Sequence, residues 1–282
     1  MKAALKIGDF ELYWLNGGTF ELDGGAMFGV VPKVLWQRKY PADNDNCIPL
    51  ANSPILVKTA DNLILIESGL GNKLTDKQKK IFRVRKEWSV PDDLKTLGIR
   101  REDIDIVILT HYDFDHAGGV IMQEENGELG VTFPNARHLL QQKEWDDVLK
   151  PDIRTENTYW RVNIDLMRTN KSLELVQGDA RIVPGISVAH TAGHNGGHQV
   201  VMIESRGQQA LHMGDLLPTH AHFNPLWVMA YDNYPMDSIA MKEKWNAVGV
   251  RNNAWFTFYH DAFMLACKFD EKGKTTETWS AC

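Results

Sequence analysis

Four side chains that can bind metal ions lie within six residues of the sequence. They are His111, Asp113, Asp115 and His116. The apolar run at residues 105–110 directly precedes them and predicts a buried strand, because a strand covered on both faces lacks polar alternation. Loops at strand ends are where rigid scaffolds hold reactive groups. So many imidazoles and carboxylates at one strand end need a cation or solvent to satisfy them, which points to a metal site.

Three more side chains of the same two types follow predicted strands in the second half of the chain. They are His194, Asp215 and His260. Seven ligands could hold two metal ions if one carboxylate is shared. Two metal ions about 3.5–4 Å apart convert a bridging water to hydroxide near neutral pH and polarise a carbonyl or phosphoryl oxygen. The residue types therefore predict a dinuclear hydrolytic site.

Apolar runs and helical spacing predict the elements that would position these ligands. Besides residues 105–110, strands are predicted at 55–59, 63–66, 186–189, 199–203, 209–213 and 255–259. Helices are predicted at 92–97, 143–150, 159–168 and 236–248. Two similar halves of this kind predict a layered α/β protein, with two sheets packed together and helices outside. No linker or repeat divides the chain, so we predict one domain over residues 1–282.

Composition narrows the classes of partner. The net charge of −6 gives no electrostatic footprint for nucleic acid or an anionic membrane. No apolar run reaches the ~18 residues of a membrane span. Three cysteines are typical of a reducing compartment, and the N-terminal segment lacks the apolar core of a signal peptide. We expect a cytoplasmic protein that acts on a small molecule, and a homodimer stays open.

Motifs at these positions resemble those of the metallo-β-lactamase superfamily, in that family's order and approximate spacing. The matching segments are HYDFDHAGG at 111–119, GHNGGH at 193–198, MGD at 213–215 and YH at 259–260. Residues 23–36 and 214–219 are similar to the lactonase-like branch of these hydrolases. The resemblance implies a four-layer αββα sandwich with a dinuclear centre in the cleft between the sheet edges.

The resemblance also implies a role for each ligand. The first metal would be bound by His111, Asp113 and His194, the second by Asp115, His116 and His260, and Asp215 would bridge them. Asp113 departs from the family pattern, which has histidine there, so the motif is H-x-D-x-D-H. An oxygen ligand hardens the first site, so zinc is favoured but manganese and iron stay open. Glu67 is a milder departure, because the family commonly has Asp there.

The predicted function is a metal-dependent hydrolase in which a metal-bridging hydroxide attacks a small ester-like substrate. Lactone, ester, thioester and phosphotriester substrates are all within reach of this chemistry, and a lactone is favoured. Asp115 is the predicted catalytic residue, as a proton shuttle to the leaving group. A di-iron redox or oxygen-sensing protein is the alternative, favoured only by Asp113. A non-catalytic binding protein is a further alternative that the nearly full ligand set disfavours.

Apolar and aromatic side chains predict a substrate pocket, since such residues commonly line ligand sites. The predicted substrate-binding residues are Met27, Phe28, His222, Phe223 and Trp227. Core packing or a dimer interface is an equally common use of the apolar members. We expect Tyr112 and Phe114, which alternate with the ligands, to point into the sheet packing. His198 is a candidate partner that orients His194.

Overall fold

The computed structural model describes residues 4–280, and two sheets dominate it. The strands, β1 to β18 in chain order, are Leu5–Ile7, Phe10–Trp14, Thr19–Asp23, Cys47–Ala51, Ile55–Lys58, Leu63–Ile66, Ile106–Ile108, Ile121–Gln123, Leu129–Val131, Arg137–Gln141, Leu173–Val176, Ala180–Val183, Ile186–His190, Gln199–Ser205, Gln208–His212, Trp255–Thr257, Ala266–Phe269 and Thr275–Trp279. The α-helices, α1 to α7, are Gly24–Phe28, Lys33–Trp36, Asp76–Ile81, Val90–Thr96, Gln142–Leu149, Arg161–Ile164 and Pro235–Arg251.

The first sheet has seven strands in the order β1-β2-β5-β6-β7-β10-β11. Its first four strands pair antiparallel, whereas β6, β7, β10 and β11 run parallel. In β7, Ile106 and Ile108 face one side of the sheet and Val107 faces the other, and all three are buried. Burial on both faces explains the uninterrupted apolar run that precedes the ligand cluster.

The second sheet contains β12 to β18 in sequence order. Its neighbouring strands pair antiparallel except β15 and β16, which are parallel with Leu211 opposite Phe256. A parallel pair needs a long crossover, and α7 supplies it. The loops after β15 and β16 therefore leave the sheet at the same edge, which brings the ligands of these two loops together.

The two sheets pack face to face with helices on their outer faces. Between the sheets, Ile64 and Ile108 of the first pack with Val201 of the second. On the outside of the first sheet, helices α4 and α5 contribute buried side chains such as Leu94. On the outside of the second, Trp245 of α7 packs in a separate apolar cluster. The predicted four-layer αββα sandwich is confirmed.

Two local features depart from simple sequence patterns. The glycine pair Gly118 and Gly119 of the HYDFDHAGG segment leads into strand β8. Glycine is needed at position 119 because a Cβ there would lie 2.1 Å from the carbonyl oxygen of Ser68. The helix expected at 159–168 is limited to Arg161–Ile164. Within the described part of the chain, no helix combines the length and the apolar character needed to cross a bilayer.

Candidate metal centre

The loops that follow β7, β13, β15 and β16 bring all seven predicted ligand residues together. Their side chains form three overlapping groups: His111, Asp113 and His194; Asp115, His116 and His260; and His111, His116 and Asp215. Within each group the ligand atoms lie within 4.8 Å of one another. We call the set of His111, Asp113 and His194 the first ligand group, and the set of Asp115, His116 and His260 the second ligand group.

Asp215 lies between the two ligand groups, in the short 3-10 helix Gly214–Leu216. Its Oδ1 is 3.2 Å from Nε2 of His116 and 3.2 Å from Nε2 of His260. Its Oδ2 is 3.3 Å from Nε2 of His194 in the first group. One oxygen thus faces each group, as the shared carboxylate of a dinuclear site requires.

The remaining carboxylates face the imidazoles across gaps longer than ordinary hydrogen bonds. Oδ2 of Asp113 lies 3.7 Å from Nε2 of His111 and 3.5 Å from Nε2 of His194. Oδ2 of Asp115 lies 3.5 Å from Nε2 of His260. Good hydrogen bonds to nitrogen are about 2.7–3.2 Å long, so these atoms converge on a common space rather than bonding to each other.

Unpaired polar atoms test whether this donor set fits metal ions. Among residues 4–280, Nε2 of His111, Nε2 of His194 and Oδ1 of Asp215 are buried without a hydrogen-bond partner. Each unsatisfied buried group costs about 1–3 kcal/mol, more if it is charged. Two divalent ions would satisfy these atoms at once, and imidazole nitrogens with carboxylate oxygens suit zinc, manganese or iron. The residues therefore fit a dinuclear centre.

The electrostatics of the unliganded side chains show the same convergence. Burial and the neighbouring His116 hold the pKa of His111 well below its ordinary value, so this imidazole is neutral and able to bind metal. Burial alone would lower the pKa of His116 and of His194, but Asp215 and other carboxylates raise the pKa of both well above the ordinary value. Carboxylates that stabilise a protonated imidazole in this way would equally stabilise a bound cation.

Contacts on the far side of each imidazole direct Nε2 inward. Nδ1 of His194 is 2.9 Å from Oδ1 of Asp232, and Nδ1 of His260 is 3.1 Å from the carbonyl oxygen of Ala51. Nδ1 of His111 is 2.9 Å from Oγ1 of Thr110. Partners of this kind fix the tautomer and the ring orientation of metal-binding histidines.

Glu67 supports the second ligand group from the core. Its side chain is fully buried, and Oε1 accepts a hydrogen bond of 2.5 Å from Oγ1 of Thr110. The same oxygen lies 3.4 Å from Nδ1 of His116 and 3.7 Å from Nε2 of His212. The backbone of Glu67 has φ of 64°, a strained conformation for a residue other than glycine. The sequence showed Glu67 only as a departure from a family pattern, not as a support for His116.

Two further supporting residues gave no signal in the sequence. Asp232 lies in the segment between β15 and α7, where its carboxylate orients His194. Glu144 is fully buried on α5, where Oε1 accepts hydrogen bonds from the backbone amide of Tyr112 and from the hydroxyl of Tyr159. Burial raises the pKa of Glu144 to about 7, with Asp113 adding to the effect. Acidic residues at polar positions of a loop and a helix resemble ordinary surface residues until the tertiary structure is known.

His198 has a different partner from the one predicted. Its Nδ1 is 2.8 Å from Oγ1 of Thr191, and its Nε2 accepts a hydrogen bond of 3.3 Å from the backbone amide of Asp215. It therefore fixes the loop that presents Asp215 and does not hydrogen-bond to His194.

A cleft of about 480 Å³ opens above the ligands. The acidic and imidazole groups Asp113, Asp115, His194, Asp215 and His260 form part of its lining. Apolar lining comes from Phe20, Leu22, Met27, Leu50, Phe82, Phe114 and Met229, and polar lining includes Arg154, Asn195, Tyr231 and Asn233. The cleft thus combines an apolar wall with polar and charged groups that could orient a bound molecule, as in many small-molecule sites.

Of the five predicted substrate-binding residues, only Met27 lines this cleft, which corrects the prediction for the other four. Phe28 is fully buried, with its ring stacked on Trp36 at 4.9 Å and on His222 at 4.3 Å. Nε2 of His222 donates to the carbonyl oxygen of Met27 at 2.9 Å and so serves the core behind the wall.

Phe223 and Trp227 also lie elsewhere. The ring of Phe223 packs on Phe269 with centroids 4.1 Å apart, in the apolar cluster between the second sheet and α7. The ammonium group of Lys39 lies 5.0 Å from the ring centroid of Trp227. The sequence of an aromatic-rich loop does not reveal which of its side chains face the cleft. It therefore could not distinguish cleft-lining residues from core residues.

Phe114 lines the cleft, although it was expected in the core. It was expected in the sheet packing, as was Tyr112, and only Tyr112 lies there, buried in the core. The ring of Phe114 stacks on Trp160 at 4.4 Å and on Phe82 at 4.8 Å, and it lines the cleft. The loop after β7 turns away from extended geometry, so strand alternation fails there.

This sandwich, with its cluster of histidines and aspartates at one sheet edge, defines a family. The chain belongs to the metallo-beta-lactamase superfamily, whose family model matches residues 48–246.

A probable metal-dependent hydrolase from Staphylococcus aureus superimposes with a TM-score of 0.92 at 43% identity, covering 97% of this chain and 98% of that one. An N-acyl homoserine lactonase from a Bacillus species is 26% identical over 160 residues, which are 53% of this chain and 57% of the relative. This chain thus spans little more than half the length of that curated relative. The solved dizinc quorum-quenching lactonase AidC shares the fold, with a TM-score of 0.81 at 19% identity and coverage of 100% of this chain and 97% of that one.

Proposed function

We propose that this chain is a metal-dependent hydrolase that opens a lactone bearing an apolar substituent, with two divalent ions held by the seven ligand residues. The observation that supports it best is the convergence of both ligand groups on Asp215 at the base of the cleft. Zinc is the favoured metal. The name of this curated relative, an N-acyl homoserine lactonase, supports a lactone over other esters.

The chemistry divides between the ions and the side chains. Two bound divalent ions would supply an acidified water and polarise the carbonyl oxygen of the substrate. The first ligand group would hold one ion, the second ligand group would hold the other, and Asp215 would serve both. The unpaired Nε2 atoms of His111 and His194 would then be satisfied.

Asp115 would move the proton in this reaction. Its carboxylate lines the cleft, with Oδ2 3.5 Å from Nε2 of His260. Because its carboxylate faces the cleft, Asp115 could accept a proton there and pass it to the alkoxide that leaves when the ring opens.

The cleft walls support an uncharged substrate with an apolar part. Phe20, Met27 and Met229 present apolar surface above the ligands, and Phe114 extends this surface toward Trp160. Tyr231 and Asn233 also line the cleft and offer polar groups suited to orienting a small polar head. Burial of an acyl chain on the apolar wall contributes roughly 25 cal/mol per Å² of apolar surface.

A substrate panel with defined metals tests the proposal. The purified chain is stripped with a chelator, reloaded with zinc, manganese or iron, and assayed against lactones with short and long acyl chains, aryl esters, thioesters and phosphotriesters. We expect kcat/KM to be highest for lactones and to rise with acyl length. Loss of the activity on chelation and its return with metal are the control. A metal-loaded protein that opens no lactone would overturn the substrate class.

The di-iron redox alternative predicts a different metal content. Asp113 gives the first ligand group a hard oxygen donor, which suits iron. If that function were correct, protein purified without added metal would contain two irons and absorb visible light. A colourless protein that contains zinc or manganese would exclude it.

A further inference from the structure

The carboxylate that replaces the family's histidine is held by a neighbouring amide. Oδ2 of Asp113 faces the first ligand group, while Oδ1 accepts a hydrogen bond of 3.1 Å from Nδ2 of Asn195. Asn195 directly follows the ligand His194 and is only 2% exposed. The two oxygens of Asp113 therefore have different roles, one turned to the ligands and one turned to the amide.

The orientation of the Asn195 amide is fixed by three neighbours. Nδ2 also donates to Oε1 of Glu144 at 3.2 Å, and Oδ1 accepts from Nδ2 of Asn233 at 2.8 Å. A flipped amide would place its oxygen against the carboxylates of Asp113 and Glu144 and its nitrogen against another donor. The network thus permits one orientation, which is how amide positions are assigned.

Glu144 and Asn233 are themselves anchored. Glu144 accepts hydrogen bonds from the backbone amides of Tyr112 and Gly197, at 2.9 Å and 3.2 Å. Oδ1 of Asn233 accepts from Nε of Arg154 at 2.8 Å. The amide of Asn195 is therefore a rigid donor, held from both sides by groups that do not touch the ligand atoms.

A carboxylate needs such a donor more than an imidazole does. An imidazole offers a metal a single inward nitrogen, and a partner on its other nitrogen sets its direction. A carboxylate has two equivalent oxygens and can rotate or bind through both. A hydrogen bond to one oxygen leaves the other as the single inward donor, and outer partners of this kind tune the affinity of a site.

We propose that Asn195 is a positioning residue that fixes Asp113 as a one-oxygen ligand of the first metal. With Asn195 bound to its other oxygen, Asp113 offers the metal a single inward donor atom, as a histidine would. This inference rests on the metal centre of the proposed function. It predicts that the metal affinity of the first site depends on Asn195 only while residue 113 is a carboxylate.

A double-mutant cycle on metal binding tests this dependence. The proteins are the unmodified chain, Asn195→Ala, Asp113→His and the double variant, each stripped of metal and titrated with zinc against a chromophoric chelator. We expect Asn195→Ala to weaken one of the two zinc sites about 10–100-fold and to change the other less than about threefold. In the Asp113→His background, the same substitution should change both affinities less than about threefold.

Three further measurements separate positioning from general damage. Asn195→Asp keeps the side-chain shape but replaces the donor with a repelling carboxylate, so it should weaken the same site at least as much as Asn195→Ala. Asn126→Ala, at an exposed loop position, is the matched control and should bind zinc like the unmodified chain. Circular dichroism and thermal unfolding of the stripped proteins check that each variant folds.

Several outcomes would overturn the inference. They are unchanged zinc affinities in both Asn195 variants, equal weakening of both sites, or a loss of the same size in the Asp113→His background. Binding is measured without substrate, so an unmodified chain that binds two zinc ions but opens no lactone contradicts the proposed substrate and leaves this inference standing. An unmodified chain that binds no zinc contradicts both.

Discussion

The two ligand groups have the same composition, two histidines and one aspartate each, but are supported in different ways. Around the second ligand group, the backbone and the core dominate: His260 contacts the carbonyl oxygen of Ala51, and Glu67 lies behind His116. The carbonyl oxygen of Asp115 accepts hydrogen bonds from Tyr259 and Asn52. Around the first ligand group, side chains from loops at the cleft dominate, namely Asp232 behind His194 and Asn195 beside Asp113.

The kind of support determines whether a substitution beside a ligand mainly changes the stability of the fold or the affinity for metal. A ligand supported by backbone and buried core groups can change only if the fold changes with it. A ligand supported by loop side chains can be adjusted by substitutions that leave the core intact. The first group, which contains Asp113, is thus where we expect substitutions to change metal affinity with little effect on stability.

The largest effect is expected at the residue that belongs to both groups. Asp215→Ala removes the carboxylate that faces His116, His194 and His260, so neither ion keeps its full ligand set. We expect metal content to fall below one ion per chain and kcat/KM to fall by at least about 1,000-fold, or about 4 kcal/mol. Elemental analysis and steady-state kinetics measure these quantities.

Asp146→Ala, at an exposed position of α5, is the control. An Asp215→Ala protein that keeps two ions and full turnover would show that the two groups are independent, and the comparison between them would lose its shared centre.

The next effect concerns the core support of the second group. Glu67→Gln keeps the size of the side chain but removes the charge beside His116 and His212. Because breaking a buried charged pair is costly, we expect the free energy of unfolding of the metal-free protein to fall by about 3 kcal/mol. Denaturant unfolding measures it, with Glu125→Gln at an exposed position as control. No loss of stability would contradict a structural role for the second group's support.

A smaller effect on stability is expected behind the first group. Asp232→Asn weakens the contact that fixes the Nδ1 tautomer of His194. We expect the affinity for one metal ion to fall about 10–100-fold, while the free energy of unfolding falls by only about 1 kcal/mol. Chelator competition and denaturant unfolding give both values on one protein, with Asp165→Asn as control. A large loss of stability without loss of metal affinity would reverse the proposed difference between the groups.

The smallest effect comes from a buried lysine near Asp232. Burial lowers the pKa of Lys242 to about 7, while Asp232 opposes the shift. Between pH 7 and the ordinary lysine pKa of 10.5 the unfolded chain therefore binds more protons than the folded chain, so the free energy of unfolding rises with pH. Lys242→Met should remove about 1 kcal/mol of this rise between pH 8 and 9.

The matched control is Lys244→Met, two residues further along α7 at an exposed position. It should leave the slope of unfolding free energy against pH unchanged. If Lys242→Met leaves that slope unchanged as well, Lys242 is not held neutral and the polar core behind the first group is wetter than its burial indicates.

The sequence by itself determined the layered fold and the identity of the ligand cluster. Continuous apolar runs mark strands buried on both faces, and β7 with the HYDFDH segment after it shows this plainly. His194, Asp215 and His260 could be added because each follows a strand in the order typical of the family. These features depend on local pattern and chain order, which a sequence contains in full.

Only the tertiary structure shows which side chains line the cleft, which lie in the core and which support the ligands. Phe28 and Phe114 are both aromatic residues near the site, yet the first is core and the second is cleft wall. Glu67, Asp232 and Asn195 become supports only because segments distant in sequence pack against the ligands. A hydrogen bond requires two groups to meet at about 3 Å, and no local pattern records such a meeting.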